Sequence, residues 1–198
     1  MYKYFKTFAD YLLSITILLI FSPIILITFF TILIFDRVNP IFLQNRSGQN
    51  QKSFKIFKFN SMKIINGTLT ITKIGKIIRK FKIDELLQLF NILRNEMSLI
   101  GPRPLYSDFD PYYQNSHLER FNVKPGITGL AQVKIYDSTN WRNKFKYDIF
   151  YVNNLSLYLD VVIVFQTVKL LYFSFLNKRK IIEVIDYKES FFSKYAKK

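Results

Sequence analysis

The chain contains no cysteine, which excludes disulfide bonds and thiolate metal ligands. Its one histidine, His117, leaves no room for a His-rich metal site and reads as a surface or loop residue. Acidic residues are scarce: 14 Asp and Glu stand against 29 Lys and Arg, a formal net charge of +15. The basic residues are spread along the chain, and no nucleic-acid motif accompanies them, so no nucleic-acid partner is indicated. Charge is missing altogether from Tyr11 to Phe35. No A-x-A-like cleavage site follows that stretch. Asp36-Arg37-Val38-Asn39-Pro40 stands there instead, so the segment is read as part of the mature protein and not as a signal peptide.

What the chain has in quantity is apolar surface: 49% hydrophobic and 18% aromatic residues over 198 positions. Apolar and basic character together suit the edge of an anionic bilayer, although a bias toward Ile, Lys, Asn and Phe accounts for part of the charge. The length suits one domain, or a smaller domain plus a membrane element. Tyr11 to Phe35 is about long enough to cross a bilayer as one helix. Ser22-Pro23 lies near its middle. Proline lacks an amide donor and clashes with the preceding turn, so a kink is expected, with the Ser22 hydroxyl or a water serving the freed carbonyl. Lys3 and Lys6 precede the segment and a basic body follows it. A straight span must export one flank, whereas a helix bent at Ser22-Pro23 keeps both inside; both arrangements fit the residues.

Beyond Pro40 the patterning predicts α+β structure, mainly helical. Strands are expected at Ile41-Phe42-Leu43 and Ser53 to Phe59, with a turn over Gln44 to Gly48. Helices are expected over Thr72–Lys80, Asp84–Leu93, Ser107–Glu119 and Asn140–Asn153. Lys124 to Gly129 reads as a loop and Ala131 to Tyr136 as a short strand. Leu155 to Leu176 is a second apolar stretch, interrupted by Asp160, Gln166 and Lys169. It suits an interfacial amphipathic helix or a core helix better than a span.

Asp84-Glu85 opens an apolar helix directly after Arg79-Lys80-Phe81-Lys82. The local reading is a helix cap: a carboxylate there is favoured by free amides and the macrodipole. The chemical reading is a carboxylate nucleophile kept ionised by neighbouring cations. Phosphoryl transfer also needs cations and amides around the phosphate oxygens. Arg103, between two prolines in Gly101-Pro102-Arg103-Pro104, presents a guanidinium suited to bidentate phosphate contact. Pro125-Gly126 and Gly129 can bring amides close to an anion, and Lys58 and Arg46 are further candidates.

In order along the chain, these segments resemble the monotopic bacterial sugar transferases that initiate glycoconjugate assembly, in their minimal form. The resemblance runs from Phe21-Ser22-Pro23 through Phe42 to Gly48, Phe57-Lys58-Phe59 and Arg79. It continues through Ile83-Asp84-Glu85-Leu86-Leu87-Gln88-Leu89-Phe90-Asn91, Met97 to Pro104, and Lys124 to Val133. It implies a phosphoglycosyl transferase that moves a phospho-sugar from a UDP-sugar to polyprenol phosphate, releasing UMP. Asp84 is implied as the nucleophile, forming a phospho-sugar-aspartyl intermediate in a ping-pong sequence, with Glu85 as a base and Mg2+ near Asp84. Lys58, Arg79, Arg103, Pro125, Gly126 and Gln132 are implied around the substrate phosphates. The resemblance also implies a re-entrant membrane segment broken at Ser22-Pro23, and a location on the cytoplasmic face of the bacterial inner membrane. The layout it suggests is a re-entrant anchor over 1–38, a catalytic domain over 39–187 and a basic tail over 188–198, with a homodimer compatible with it. Asn60, Lys124 before Pro125-Gly126, and Lys134 to Thr139 depart from the family pattern, the last at the end expected to meet the donor. A catalytically silent basic anchor or scaffold in a glycan-assembly complex is the alternative of another class.

Overall fold

The computed structural model describes residues 1–65, 67–135 and 140–176. The expected basic tail, Lys178-Arg179-Lys180 and Tyr136 to Thr139 lie outside them. The first helix, α1 (Tyr2–Thr31), runs on into a π-helical turn, Ile32–Asp36, and closes at Arg37 in the left-handed region, φ 55°. The helix is therefore not broken at Ser22-Pro23; Pro23 lies inside one helix. The carbonyl that Pro23 leaves without its amide is that of Leu19, four residues back. The Ser22 hydroxyl donates to it at 2.8 Å, the substitution expected from the sequence.

One face of α1 packs on the globular body on either side of an exposed stretch, Leu19 to Ile24. Ile17 and Leu18 sit against Ile56, Leu89, Ile92 and Met97. Further on, Ile25, Phe29 and Ile32 sit against Phe59, Ile78 and Leu87. Leu12, Leu19, Ile20, Ile27, Phe30 and Ile34 are exposed. Both ends are fastened to that body. At the start, Lys6 Nζ and the Tyr2 hydroxyl donate to Asp160 Oδ2 at 2.7 and 2.5 Å. Asp10 accepts from the Ser98 hydroxyl at 2.7 Å and the Leu99 amide at 3.2 Å. At the far end, the Thr72 hydroxyl donates to Asp36 Oδ2 at 2.7 Å.

Three small two-stranded pieces follow. Strands β1 (Ile41–Ser47) and β2 (Ser53–Phe59) pair antiparallel, Ile41 opposite Phe59. The first strand thus extends through the expected turn, which falls instead at Gly48 to Lys52, where the Gly48 amide donates to Lys52 O at 2.9 Å. A hairpin absent from the sequence reading, β3 (Met62–Ile65) and β4 (Thr68–Ile71), comes next. Helix α2 (Lys73–Lys80) is capped by the Thr72 side chain, which accepts from the Gly75 amide. Gly75 lies so close to Ser61 that a Cβ would come within 2.0 Å of its carbonyl.

The helix expected over 84–93 is divided. Lys82 is left-handed, φ 59°, a 3-10 turn covers Ile83–Glu85, and α3 spans Gln88–Leu93. Strand β5 (Ser98–Ile100) pairs parallel with β6 (Gly126–Thr128), inside the stretch expected as a loop. The helix expected over 107–119 is two 3-10 segments, Ser107–Tyr112 with Pro111 inside and Asn115–Asn122. The strand expected over 131–136 is instead a helix, α4 (Leu130–Lys134), burying Leu130, Ala131 and Val133. A short apolar run fits either period, and here the helical spacing of Leu130 and Val133 against Tyr151 and Ile163 decides it. Helices α5 (Trp141–Asn153) and α6 (Leu157–Phe175) complete the body, capped by Asn140 and Ser156.

Candidate active site

The 3-10 turn after α2 places two consecutive carboxylates in different surroundings. Glu85 is 8% exposed and faces inward between β2 and the loop after β5. Its Oε1 accepts from Lys58 Nζ at 3.1 Å and from Arg103 Nη2 at 2.9 Å. Burial alone would raise its pKa. Lys58 and Arg103, with Lys82, outweigh burial and hold the carboxyl well below its ordinary range. Asp84 is half-buried, and its Oδ1 is shut off from solvent without a hydrogen-bond partner. Burial raises its pKa first and the Glu85 charge second, against the pull of Lys58, Lys82 and Arg79. No side-chain cap bond is made at this turn, so the helix-cap reading of Asp84 does not hold.

The cations come from three elements. Lys58 lies near the end of β2, and burial, with Arg103 and Arg46 nearby, lowers its pKa although Glu85 opposes this. Arg79 ends α2 with its Nε donating to the Ser61 hydroxyl at 2.7 Å. Arg103 is set by a loop whose carbonyls are gripped one after another. Tyr151 Oη lies 3.1 Å from Ile100 O, and the Gly126 amide donates to Pro102 O at 3.0 Å. Arg120 Nη2 donates to Arg103 O at 2.7 Å and Arg46 Nη1 to Pro104 O at 3.2 Å. The Gly101 amide donates to Thr128 O at 2.9 Å.

Pro125-Gly126 therefore acts differently from the sequence expectation: the Gly126 amide is engaged by Pro102 instead of facing an anion. A Cβ on Gly126 would fall 2.1 Å from Gly101 N, so the glycine permits close approach of two backbones. Gln132, on α4, donates from Nε2 to Ile127 O at 3.0 Å, while its Oε1 is buried without a partner. One turn after Asp84, Gln88 is 2% exposed and its Nε2 has no partner.

The sequence reading named Lys58, Arg79, Arg103 and Arg46 but missed the residues that hold them. Arg120 is 3% exposed and pairs through Nε and Nη2 with Asp148 Oδ2, at 3.1 and 2.9 Å. Asp160, read as an interruption of an apolar helix, anchors α1 and accepts from Tyr151 Oη at 2.7 Å. No local pattern marks such partners; they meet only through tertiary packing. A cleft of about 580 Å³ lined by His117, Arg142, Phe145 and Lys146 opens elsewhere, and neither carboxylate lines it. Among the described residues no three metal-ligating side chains gather.

At this turn one carboxylate with a buried, unpartnered oxygen stands beside a second that ties Lys58 to Arg103. The family model for bacterial sugar transferases matches residues 1–174. An Aeromonas hydrophila UDP-N-acetylgalactosamine-undecaprenyl-phosphate N-acetylgalactosaminephosphotransferase is 39% identical over 188 residues, covering 85% of this chain and 44% of its own. A Klebsiella pneumoniae UDP-glucose:undecaprenyl-phosphate glucose-1-phosphate transferase is 35% identical, with 88% and 41% covered. The chain thus spans less than half the length of these two relatives. The Bacillus subtilis sugar transferase EpsL is 38% identical over 172 residues, with 83% of this chain and 85% of its own covered. The chain belongs to the bacterial sugar transferase family.

Proposed function

We propose that this chain is a membrane-associated phosphoglycosyl transferase that moves a phospho-sugar from a UDP-sugar to a polyprenol phosphate, such as undecaprenyl phosphate. The observation that carries the reading is the division of labour between neighbouring carboxylates: Asp84 keeps an unpartnered oxygen, and Glu85 holds Lys58 and Arg103.

In the first step an Asp84 carboxylate oxygen attacks the phosphorus that bears the sugar. The bond from that phosphorus to the bridging oxygen breaks, and UMP leaves with the electron pair. In the second step an oxygen of the polyprenol phosphate attacks the same phosphorus, and the Asp84 carboxylate leaves. Arg103, Lys58 and Arg79 supply the positive charge that a phosphoryl group needs while its oxygens gather charge. Glu85 is a weak base while both cations hold it. A phosphate monoester has a second pKa of about 6, so the acceptor is largely dianionic at neutral pH and attacks without a strong base. Glu85 then serves by fixing the two cations.

Mg2+ suits this site through Asp84. The ion takes one or two carboxylates and completes its shell with water and substrate phosphates, and the half-buried Asp84 carboxylate would offer one such ligand. When bound it would neutralise charge on the diphosphate.

The membrane placement rests on α1. Its start is held by Asp160 and Ser98 and its end by Thr72, all on one body. That arrangement favours a helix that enters and leaves the bilayer on one side over one that crosses it. The basic character of the body supports the cytoplasmic side, at the inner membrane of a bacterium.

The test is UMP release by membrane-extracted protein given Mg2+, undecaprenyl phosphate and a panel of UDP-sugars. Donor alone should leave a phospho-sugar adduct on Asp84, visible by mass spectrometry. Folded protein that releases UMP from no donor would return the chain to the scaffold reading.

A further inference from the structure

The hairpin β3–β4 has no place in the chemistry above, and it is built with two unlike faces. The register sets Met62 opposite Ile71 and Ile64 opposite Leu69. Alternation in a strand puts those four side chains on one face. Lys63, Ile65, Thr68 and Thr70 occupy the other. Ile64 is 73% exposed and Leu69 65%, so the outer half of the apolar face has no cover among the described residues. An isolated two-stranded hairpin is marginally stable in water, so an apolar face with its outer half open calls for a covering phase.

Two features say which phase. First, the hairpin springs from the point where α1 ends. Thr72, directly after β4, is bonded to Asp36, and the three residues before Asp36, Leu33, Ile34 and Phe35, are exposed apolar side chains. The apolar surface of α1 therefore leads to the root of the hairpin. Second, the neighbouring surface is cationic. Lys73 and Lys76 are exposed on α2, beside exposed Ile77. Apolar side chains beside exposed lysines complement anionic lipid headgroups over acyl chains.

We propose that the β3–β4 hairpin is a membrane-contact element that lays its Ile64–Leu69 face on the bilayer beside the exit of α1. This rests on the membrane reading of the chain. Depth follows from backbone chemistry: with only two strands, each outer edge carries unpaired amides and carbonyls, which the hydrocarbon core does not tolerate. The hairpin lies in the headgroup and upper acyl region, apolar face down, with Lys63 and Thr70 toward water. The root of the hairpin also adjoins Ser61, the partner of Arg79, so this contact sits next to one of the cations proposed for the transferred phosphoryl group.

The absence of native cysteine makes site-specific labelling clean. Single-cysteine variants Ile64→Cys, Leu69→Cys, Lys63→Cys and Thr70→Cys of the full chain would carry an environment-sensitive fluorophore. Ile20→Cys on α1 would report the membrane reading itself. The proteins are placed in vesicles of phosphatidylethanolamine and phosphatidylglycerol. Labels at 64 and 69 should be quenched severalfold more by a shallow lipid-borne nitroxide than labels at 63 and 70, and iodide should show the reverse. If 64 and 69 match 63 and 70 in iodide access while the label at 20 is lipid-quenched, the hairpin proposal falls alone. If the label at 20 is also open to iodide, the membrane reading falls with it. Labels at 64 and 69 shielded from both quenchers would mean cover by protein, a second copy for instance, and would also overturn the proposal.

Discussion

Arg120 holds Arg103 by the backbone: its Nη2 donates to the Arg103 carbonyl at 2.7 Å, while the Arg103 side chain reaches Glu85 at 2.9 Å. Arg120 is in turn fixed by Asp148, and both are nearly inaccessible, at 3% and 4% exposed. Arg120→Ala would leave Asp148 buried and unpaired, at a cost of about 3–5 kcal/mol, and should lower the melting temperature sharply. Arg120→Lys keeps the charge but loses the fork that serves Asp148 and Arg103 together. That variant should stay folded and lose UMP release by up to about a hundredfold, through misplacement of Arg103. Thermal unfolding and steady-state kinetics, measured side by side, separate the two effects. Wild-type kcat in the lysine variant would show that Arg103 does not depend on Arg120.

Asp84 carries its charge at an energetic cost. Its pKa is raised, chiefly by burial and then by Glu85. A carboxyl that binds its proton more tightly folded than unfolded lowers stability once pH exceeds its raised folded-state pKa. That cost disappears below the unfolded value, where both states are protonated. Asp84→Asn should therefore abolish UMP release and adduct formation while raising the melting temperature at neutral pH. The stability difference should close as pH falls through the acid range. Full activity in the asparagine variant would displace Asp84 as the nucleophile.

Glu85 has the opposite sign. Its folded-state pKa is depressed well below the ordinary value, by Lys58 and Arg103 acting against burial. Its contribution to stability is present above the unfolded pKa and lost as pH falls through the folded one. Glu85→Gln should be less stable than the parent at neutral pH, since Lys58 and Arg103 lose their shared anion. The same change removes a charge that raises the Asp84 pKa, so the acid limb of the pH–rate profile should move to lower pH. An unmoved limb would dissociate the two carboxylates.

Arg103→Ala removes one of the cations proposed to meet the substrate phosphates. A loss of about 10²–10³ in kcat is expected, as for other donors to a developing oxyanion. Glu85 keeps Lys58, so the fold should survive. A variant with unchanged kcat and raised KM would place Arg103 in donor binding alone.

The candidate site was partly legible because its members are short-range signals. Asp84-Glu85 after a basic run, the Gly101 to Pro104 loop and the Lys58 strand each carry local chemistry. Their supports were not legible: Arg120 and Asp148 are 28 residues apart, and Asp160 lies 154 residues from Lys6. Gly126 looks like an anion cradle in the sequence, because a glycine that frees an amide and one that admits a neighbouring backbone look alike there. In the fold, the strand-length run Leu130 to Lys134 took helical form because packing, not periodicity, decided it. The β3–β4 hairpin went unread because Asn66-Gly67 is flanked by only four residues on each side.

Length does not decide how α1 meets the membrane: its 30 residues make about 45 Å of helix, ample for a hydrocarbon core of about 30 Å. Its contacts support the one-sided placement proposed above: Lys6 and Asp36 are held by residues of the same body, Asp160 and Thr72. On that proposal a crossing helix would strain one of these attachments. Lys3→Cys, before the apolar segment, and Lys52→Cys, in the turn between β1 and β2, should therefore react with a membrane-impermeant thiol reagent from the same side of sealed vesicles. Asp160→Asn and Thr72→Val would loosen the two attachments singly, and neither should move Lys3 to the opposite side, since the other end and the Asp10–Ser98 bond remain. Opposite-side labelling of positions 3 and 52 in the otherwise unaltered chain would establish a true span and overturn the one-sided placement of α1.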